Sequence, residues 1–357
     1  MLVLARWSLL VTVFPIVSGC ALPYYWQAAS GHLDLLRKRT PIDAVLEDPS
    51  QPPDVKQALR RVVDMRAFAV DRLGLPDNRS YQSYADIGRP YVVWNVVAAD
   101  EFAVDPMQWC FPLLGCVSYR GYFSRDAAEQ FAATLGERGM DTYVAGASAY
   151  STLGYFADPV LNTMLVGGEQ YIAGILFHEL AHQKFYLRGD SDLNEAFATA
   201  VQQHGTVEWL AAHGSGEAVA AYHSRLQRQA DFTAFVAAQR DRLQTIYAAD
   251  TAIEAKRGAK QAAFTRMRED YERLKRSWGG VTDYDNWFAQ SLNNAQLASV
   301  ATYRRWLPGL SWYIDEHGLS ALYERMAEIE DMPEEARDTL LQSWLEAAQA
   351  PRSAARL

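Results

Sequence analysis

The stretch Ile175–Gln183, ILFHELAHQ, sets two histidines and a glutamate inside a run that otherwise reads as the buried face of a helix. At about 100° per residue, His178 and His182 point the same way one turn apart, and Glu179 lies on the flank nearer His182. The apolar residues around them, Ile172, Ile175, Leu176, Phe177, Leu180 and Ala181, imply burial. Three ionisable groups in such surroundings are costly unless something compensates them. One compensation is a metal ion gripped by both imidazoles, with the glutamate reaching a water beside it. The other is a pair of hydrogen-bonded core histidines with a salt-bridged glutamate.

The choice depends on a third ligand. Downstream runs Asp192-Leu193-Asn194-Glu195-Ala196-Phe197-Ala198-Thr199. The histidine helix is expected to end near Arg188-Gly189, where glycine suits a left-handed cap. A turn through Asp190-Ser191-Asp192 then reverses the chain, and a second helix returns Glu195 over the histidines. Asp192 and Glu195 also make a helix-start capping pair that needs no metal. Asp190 and Asp192 are lesser ligand candidates, and His204 reads as a helix-surface histidine. His178-Glu179-x-x-His182 is the HExxH spacing of zinc peptidases, in which the ion lowers the pKa of water and the glutamate takes its proton. One Zn²⁺ suits nitrogen plus carboxylate donors, although donor chemistry alone admits other divalent ions.

The chain start bears on where such chemistry operates. Met1–Arg6, an apolar run Trp7–Val17 and then Val17-Ser18-Gly19-Cys20 have the form of a secretory signal, too short to span a bilayer comfortably. The small residues before Cys20 resemble a bacterial lipobox, which implies lipidation of Cys20. Ala21 after it suggests the periplasmic face of the outer membrane. The alternative is an ordinary cleaved signal or an uncleaved anchor.

The 357 residues are 49% hydrophobic and 22% charged, with a net charge of −9, a globular composition offering no basic patch for nucleic acid. Besides Cys20, the cysteines are Cys110 and Cys116. In an oxidising compartment they can close a short disulfide loop; the alternative is two separate buried thiols.

Apolar spacing predicts helices from Tyr25 to about Leu75, broken at Pro52-Pro53. β-Branched and aromatic residues from Tyr81 to Phe123 predict strands of a small sheet, followed by a helix near 125–138 and a strand near 142–147. Tyr150–Phe156 is a candidate edge strand for a bound peptide or, equally, part of the core. Beyond Gly205 nearly everything reads as helix, and the charged run Thr251–Trp278 reads as a solvated face or an antiparallel hairpin.

HELAH followed by LNEAFAT resembles the gluzincin peptidases. The lipobox, WCFPLLGCVSYRGYF, AYSTLGYFADPV and the HELAHQ…NEAFAT pair together resemble a bacterial family described as zinc aminopeptidases. That resemblance implies His178, His182 and Glu195 as zinc ligands, Glu179 as general base and Asn194 as a residue steadying the site. For the electrophile facing the attacked carbonyl, Tyr303 is preferred, with Tyr150 and Tyr247 behind it. Twelve residues separate His182 from Glu195, fewer than is usual in gluzincin aminopeptidases, and no GAMEN-like segment for a free amine occurs. The spacing of metzincins, the glycine-rich turns of nucleotide sites and the G-x-S-x-G elbow are all missing.

The expectation is therefore an α+β, mainly α, zincin-like protein. Residues 1–20 form the signal, 21–75 a helical layer, 76–170 a small α/β region, and 171–350 a helical catalytic region continuous with it. The expected activity is zinc-dependent peptide hydrolysis, aminopeptidase-like, by a protein lipid-anchored in the bacterial envelope. An envelope endopeptidase and a non-catalytic lipoprotein scaffold remain the alternatives.

Overall fold

A computed structural model describes residues 22–111, 115–301 and 305–350. The chain opens with α1 (Leu22–Arg37), β1 (Thr40–Pro41), α2 (Ile42–Glu47) and α3 (Pro53–Asp71). Short strands follow: β2 (Ser83–Ala85), β3 (Val93–Ala99), β4 (Trp109–Phe111), β5 (Gly115–Val117) and β6 (Arg120–Tyr122). Next come α4 (Arg125–Gly136), β7 (Asp141–Ala147), β8 (Val160–Leu161), α5 (Glu169–Lys184) and α6 (Ser191–His213). The rest is helical: α7 (Gly216–Ala248), α8 (Ile253–Ser277), α9 (Asp285–Phe288), α10 (Asn294–Ala301), α11 (Leu307–His317), α12 (Leu319–Glu330) and α13 (Glu334–Gln349). The protein is thus α+β and mostly helical, as its patterning implies.

The expected single sheet is instead divided. β1-β2-β8 forms one ladder, with β2 and β8 parallel; β6-β3-β7 forms a second, fully antiparallel; β4-β5 is a separate ribbon closed by the Cys110–Cys116 disulfide. β3 shows why the second ladder is two-sided. Val96 and Ala98 pack on Ala128, Ala132 and Leu135 of α4, while Val97 and Ala99 pack on Ala295 and Ala298 of α10. The period of two along the strand sends alternate residues to opposite helices.

α3 begins on a proline at its first turn and buries Leu59, Val62, Met65, Phe68 and Ala69. These share one core with Leu176, Phe177 and Leu180 of α5, Phe197 and Val201 of α6, and Leu310 and Ile314 of α11. α5 is buried on most sides, which is why its sequence is apolar nearly all round. α7 and α8 form the antiparallel hairpin, burying Phe232, Val236 and Leu243 against Phe264, Met267 and Tyr271. Its charges serve as outward pairs and ties, such as Lys260 to Asp141 at 2.7 Å.

α6 comes close to α5 at Gly205, where a Cβ would lie 2.6 Å from Leu73 Cδ1 and 3.0 Å from Phe177 Cδ2. Phe177 precedes the first histidine, so this contact fixes the spacing of the two site helices. Gly205→Val is expected to cost about 1–3 kcal/mol through overpacking, measured by denaturant unfolding. No loss, with the native fold retained, would mean that the helices have slack at this crossing.

Candidate active site

α5 ends at Lys184, earlier than the expected Arg188-Gly189, because Phe185 turns extended and buries its ring 5.2 Å from Phe197. Residues 185–190 connect to α6, with Gly189 left-handed at φ 88° inside the turn. Asn194 pins this connection at both ends of one residue: Leu187 N–H donates to Asn194 Oδ1 at 2.7 Å, and Asn194 Nδ2 donates to Leu187 C=O at 2.8 Å. The cap of α6 is Asp190, whose carboxylate accepts from Leu193 N–H at 3.0 Å and pairs with Arg337 at 3.1 Å. The expected Asp192–Glu195 capping pair does not form, since the helix starts at Ser191. That leaves the Glu195 side chain free to turn inward, and it commits Asp190 to the cap.

The three side chains converge. His178 Nε2 lies 3.1 Å from His182 Nε2 and 3.3 Å from Glu195 Oε2, and His182 Nε2 lies 3.7 Å from Glu195 Oε1. Ligand atoms bound tetrahedrally at about 2.0–2.2 Å stand about 3.4 Å apart, and the two ring nitrogens and the carboxylate oxygen nearest each of them lie at separations of that size. Among the described residues, His178, His182 and Glu195 are the group able to hold a metal ion. Asp192 and His204 are not in it.

The hydrogen bonding favours the same conclusion. His178 Nδ1 lies 3.0 Å from Gln202 Oε1, so Nδ1–H donates and Nε2 of the neutral ring presents a lone pair. That lone pair faces a carboxylate oxygen and a second ring nitrogen, an arrangement that repels itself unless a proton or a cation sits between. His182 Nδ1 is buried without a hydrogen-bond partner, so the polar contacts of this ring are all at Nε2.

The charges divide accordingly. Burial opposes a proton on His178, but the hydrogen bond and charge of Glu195 outweigh it and raise its pKa. Burial and the neighbouring His178 push His182 down to about 4. Burial also works to raise Glu195, yet the two imidazoles leave it below the usual glutamate value. Because the proton on His178 competes with metal, affinity is expected to fall as pH drops, starting above the ordinary histidine value of about 6.5. Chelator competition across pH 5–8 measures this; a flat profile would contradict it.

Glu179 is partly buried and lies one turn before Gln183 on α5. Gln183 is bonded to Asn78 at 2.7 Å and to Ser80 Oγ at 3.4 Å. Burial, with the charges of Glu195 and Asp158 and against the pull of His178, raises the Glu179 carboxyl to about 7. Asp158, itself buried, organises residues 151–158 by accepting from Thr152 N–H at 2.9 Å and Thr152 Oγ1 at 2.8 Å. This segment is a loop, not the expected edge strand: β7 stops at Ala147, and the Asp158 side chain takes the backbone hydrogen bond a partner strand would need.

Beside the trio, a cavity of about 380 Å³ is lined by His178, Glu195, Thr199 and Gln202 on one wall, and by Gln229, Phe232, Thr233, Tyr284, Ser299 and Val300 on the other. Sequence reading missed Thr199 and Gln202. Their signal is present, since they recur four and seven residues after Glu195, polar positions along one line of an otherwise apolar helix face. Gln202→Leu is expected to weaken metal binding about 10–100-fold without unfolding the chain, read by chelator competition; unchanged affinity would remove Gln202 from the site.

Among the tyrosine candidates, Tyr303 lies outside the described residues. Tyr150 packs on the rings of His32 and Phe123, and Tyr247 donates its hydroxyl to Asn294 at 2.7 Å. Tyr186, which the sequence did not single out, stands near enough for the charge of Glu195 to help burial raise its hydroxyl pKa.

The buried His182, the half-buried His178 and the Glu195 carboxylate, brought together from adjoining helices, form a group that could hold a metal ion. The chain belongs to the family described as "Putative aminopeptidase", whose model matches residues 23–341. No curated protein and no solved structure matches it. Membership of that family supports a peptidase acting on peptides.

Proposed function

We propose that the protein is a zinc-dependent peptidase, aminopeptidase-like, in which His178, His182 and Glu195 hold one Zn²⁺ and Glu179 is the general base. The observation that carries the reading is the convergence of the two Nε2 atoms and the Glu195 carboxylate from two helices. A zinc ion held there supplies Lewis acidity to a substrate carbonyl and to water. Glu179, its carboxyl near 7, takes the proton of the attacking water and passes it to the leaving amine. Gln202 fixes the ring orientation and tautomer of His178, and Asn194 holds the turn that sets Glu195 opposite the histidines. The cavity takes substrate groups flanking the scissile bond. Tyr303 keeps the electrophile role as a proposal, with Tyr186 as its rival.

Paired substrates test the reading. Aminoacyl reporters report removal of an N-terminal residue, and N-blocked, internally quenched peptides report internal cleavage. Hydrolysis of the first, abolished by a chelator and restored by zinc, is expected. Cleavage of the blocked peptides alone would make the protein an envelope endopeptidase. No cleavage of either set by zinc-loaded protein would overturn the peptidase reading in favour of a scaffold.

A further inference from the structure

α1 meets the rest of the protein mainly through one side, with His32 on its flank against Tyr150 and Phe156. Tyr24 packs on Phe111 and Tyr122, Gln27 is bonded to Gly121 C=O and Phe123 N–H, Gly31 lies against the Phe123 ring, and Leu35 is buried. At 100° per residue, the opposite side is Leu22, Trp26, Ala29 and Leu33, gathered within about 60° of arc. Leu22 is 66% exposed, Trp26 76% and Leu33 49%, and Tyr25 on the flank is 46% exposed. From Leu22 to Leu33 the helix has no lysine, arginine, aspartate or glutamate. A helix at home in water places its charges on that side.

A second element extends the patch. The tip of the 151–157 loop exposes Tyr155 and Phe156, and the Phe156 ring lies 4.9 Å from His32 of α1. Tryptophan and tyrosine joined to leucine on one helix face are the side chains that settle at the boundary between headgroups and acyl chains. The position in the chain identifies the surface. α1 begins two residues after Cys20 of the lipobox-like pattern, and two residues span at most about 7 Å. A lipid on Cys20 therefore leaves α1 no linker with which to stand away from the bilayer.

We infer that the Leu22–Leu33 face of α1, with the Tyr155–Phe156 loop tip beside it, lies in the interfacial layer of the bilayer that carries the chain. The attraction is apolar and aromatic: the face has no cation before Arg37, and the chain carries a net charge of −9, so anionic lipid is not its source. An acyl tether alone leaves the protein free to tumble, whereas the helix face is a second signal that fixes orientation. The loop runs from this surface back to Asp158, whose charge acts on Glu179, so docking holds the catalytic flank within one loop of the membrane.

The test uses the full chain in zwitterionic phosphatidylcholine vesicles, with an environment-sensitive fluorescent amino acid replacing Trp26, Leu33 or, as control, Ile253, an equally apolar residue 58% exposed at the start of α8. Positions 26 and 33 are expected to shift to shorter wavelength on vesicle addition and to be quenched several-fold by lipids brominated in the acyl chain, while position 253 stays unchanged. Absence of lipid quenching at 26 and 33 overturns the inference. So does protection that tracks protein concentration, which marks a second copy, or that is already complete without vesicles, which marks coverage by the apolar segment 7–17.

Discussion

Glu179→Gln is expected to lower hydrolysis about 10²–10⁴-fold while leaving metal content unchanged. The amide has nearly the shape of the carboxylate, and residue 179 is not among the converging ligand atoms. What the substitution removes is the proposed acceptor of the water proton. The carboxyl is placed for that work by the protein: burial first, then the nearby Glu195 and Asp158 charges, lift it to about 7. Turnover measured on metal-loaded wild type and variant decides the matter. A variant keeping more than a tenth of wild-type activity would require a different base, and Asp158 would be the first to examine.

Glu195→Ala is expected to have a larger effect on the ion itself. It leaves two imidazoles on one helix and takes away the one anionic ligand of the trio, so binding should weaken by more than the about 10–100-fold typical of losing a supporting residue. Activity should fall below detection at stoichiometric zinc. His182→Ala should behave alike. Metal bound per chain after dialysis separates this from a folding defect, with unfolding curves as the control. Retention of a full equivalent of zinc by Glu195→Ala would show that another carboxylate completes the site.

Much of this centre is legible in the sequence because its two helices are periodic. A four-residue spacing of histidines on an apolar helix fixes their common direction whatever the rest of the fold does, and Glu195 can return over them once the chain turns between 185 and 190. The details of that turn depend on tertiary contacts. Phe185 leaves the helix to reach Phe197, and Asn194 satisfies the exposed backbone of Leu187, an arrangement that no local propensity announces. The candidate edge strand Tyr150–Phe156 is a loop for a similar reason: its aromatic and small residues suit a strand, but the Asp158 carboxylate supplies the hydrogen bonds locally. Gln202 was overlooked because its role appears only when α6 is laid against α5. The strands were located while their division into three ladders was not, since pairing is set by contacts distant in sequence.

In the proposed site one divalent ion joins α5 to α6. X-ray absorption at the zinc edge of the purified, zinc-loaded chain tests it most directly. One equivalent per chain is expected, with two imidazole nitrogens and carboxylate oxygen at about 2.0–2.2 Å, and a spectrum that changes when Glu195 is replaced by alanine. A chain that takes up no zinc, or whose spectrum shows sulfur ligation or is indifferent to residues 178, 182 and 195, would contradict it.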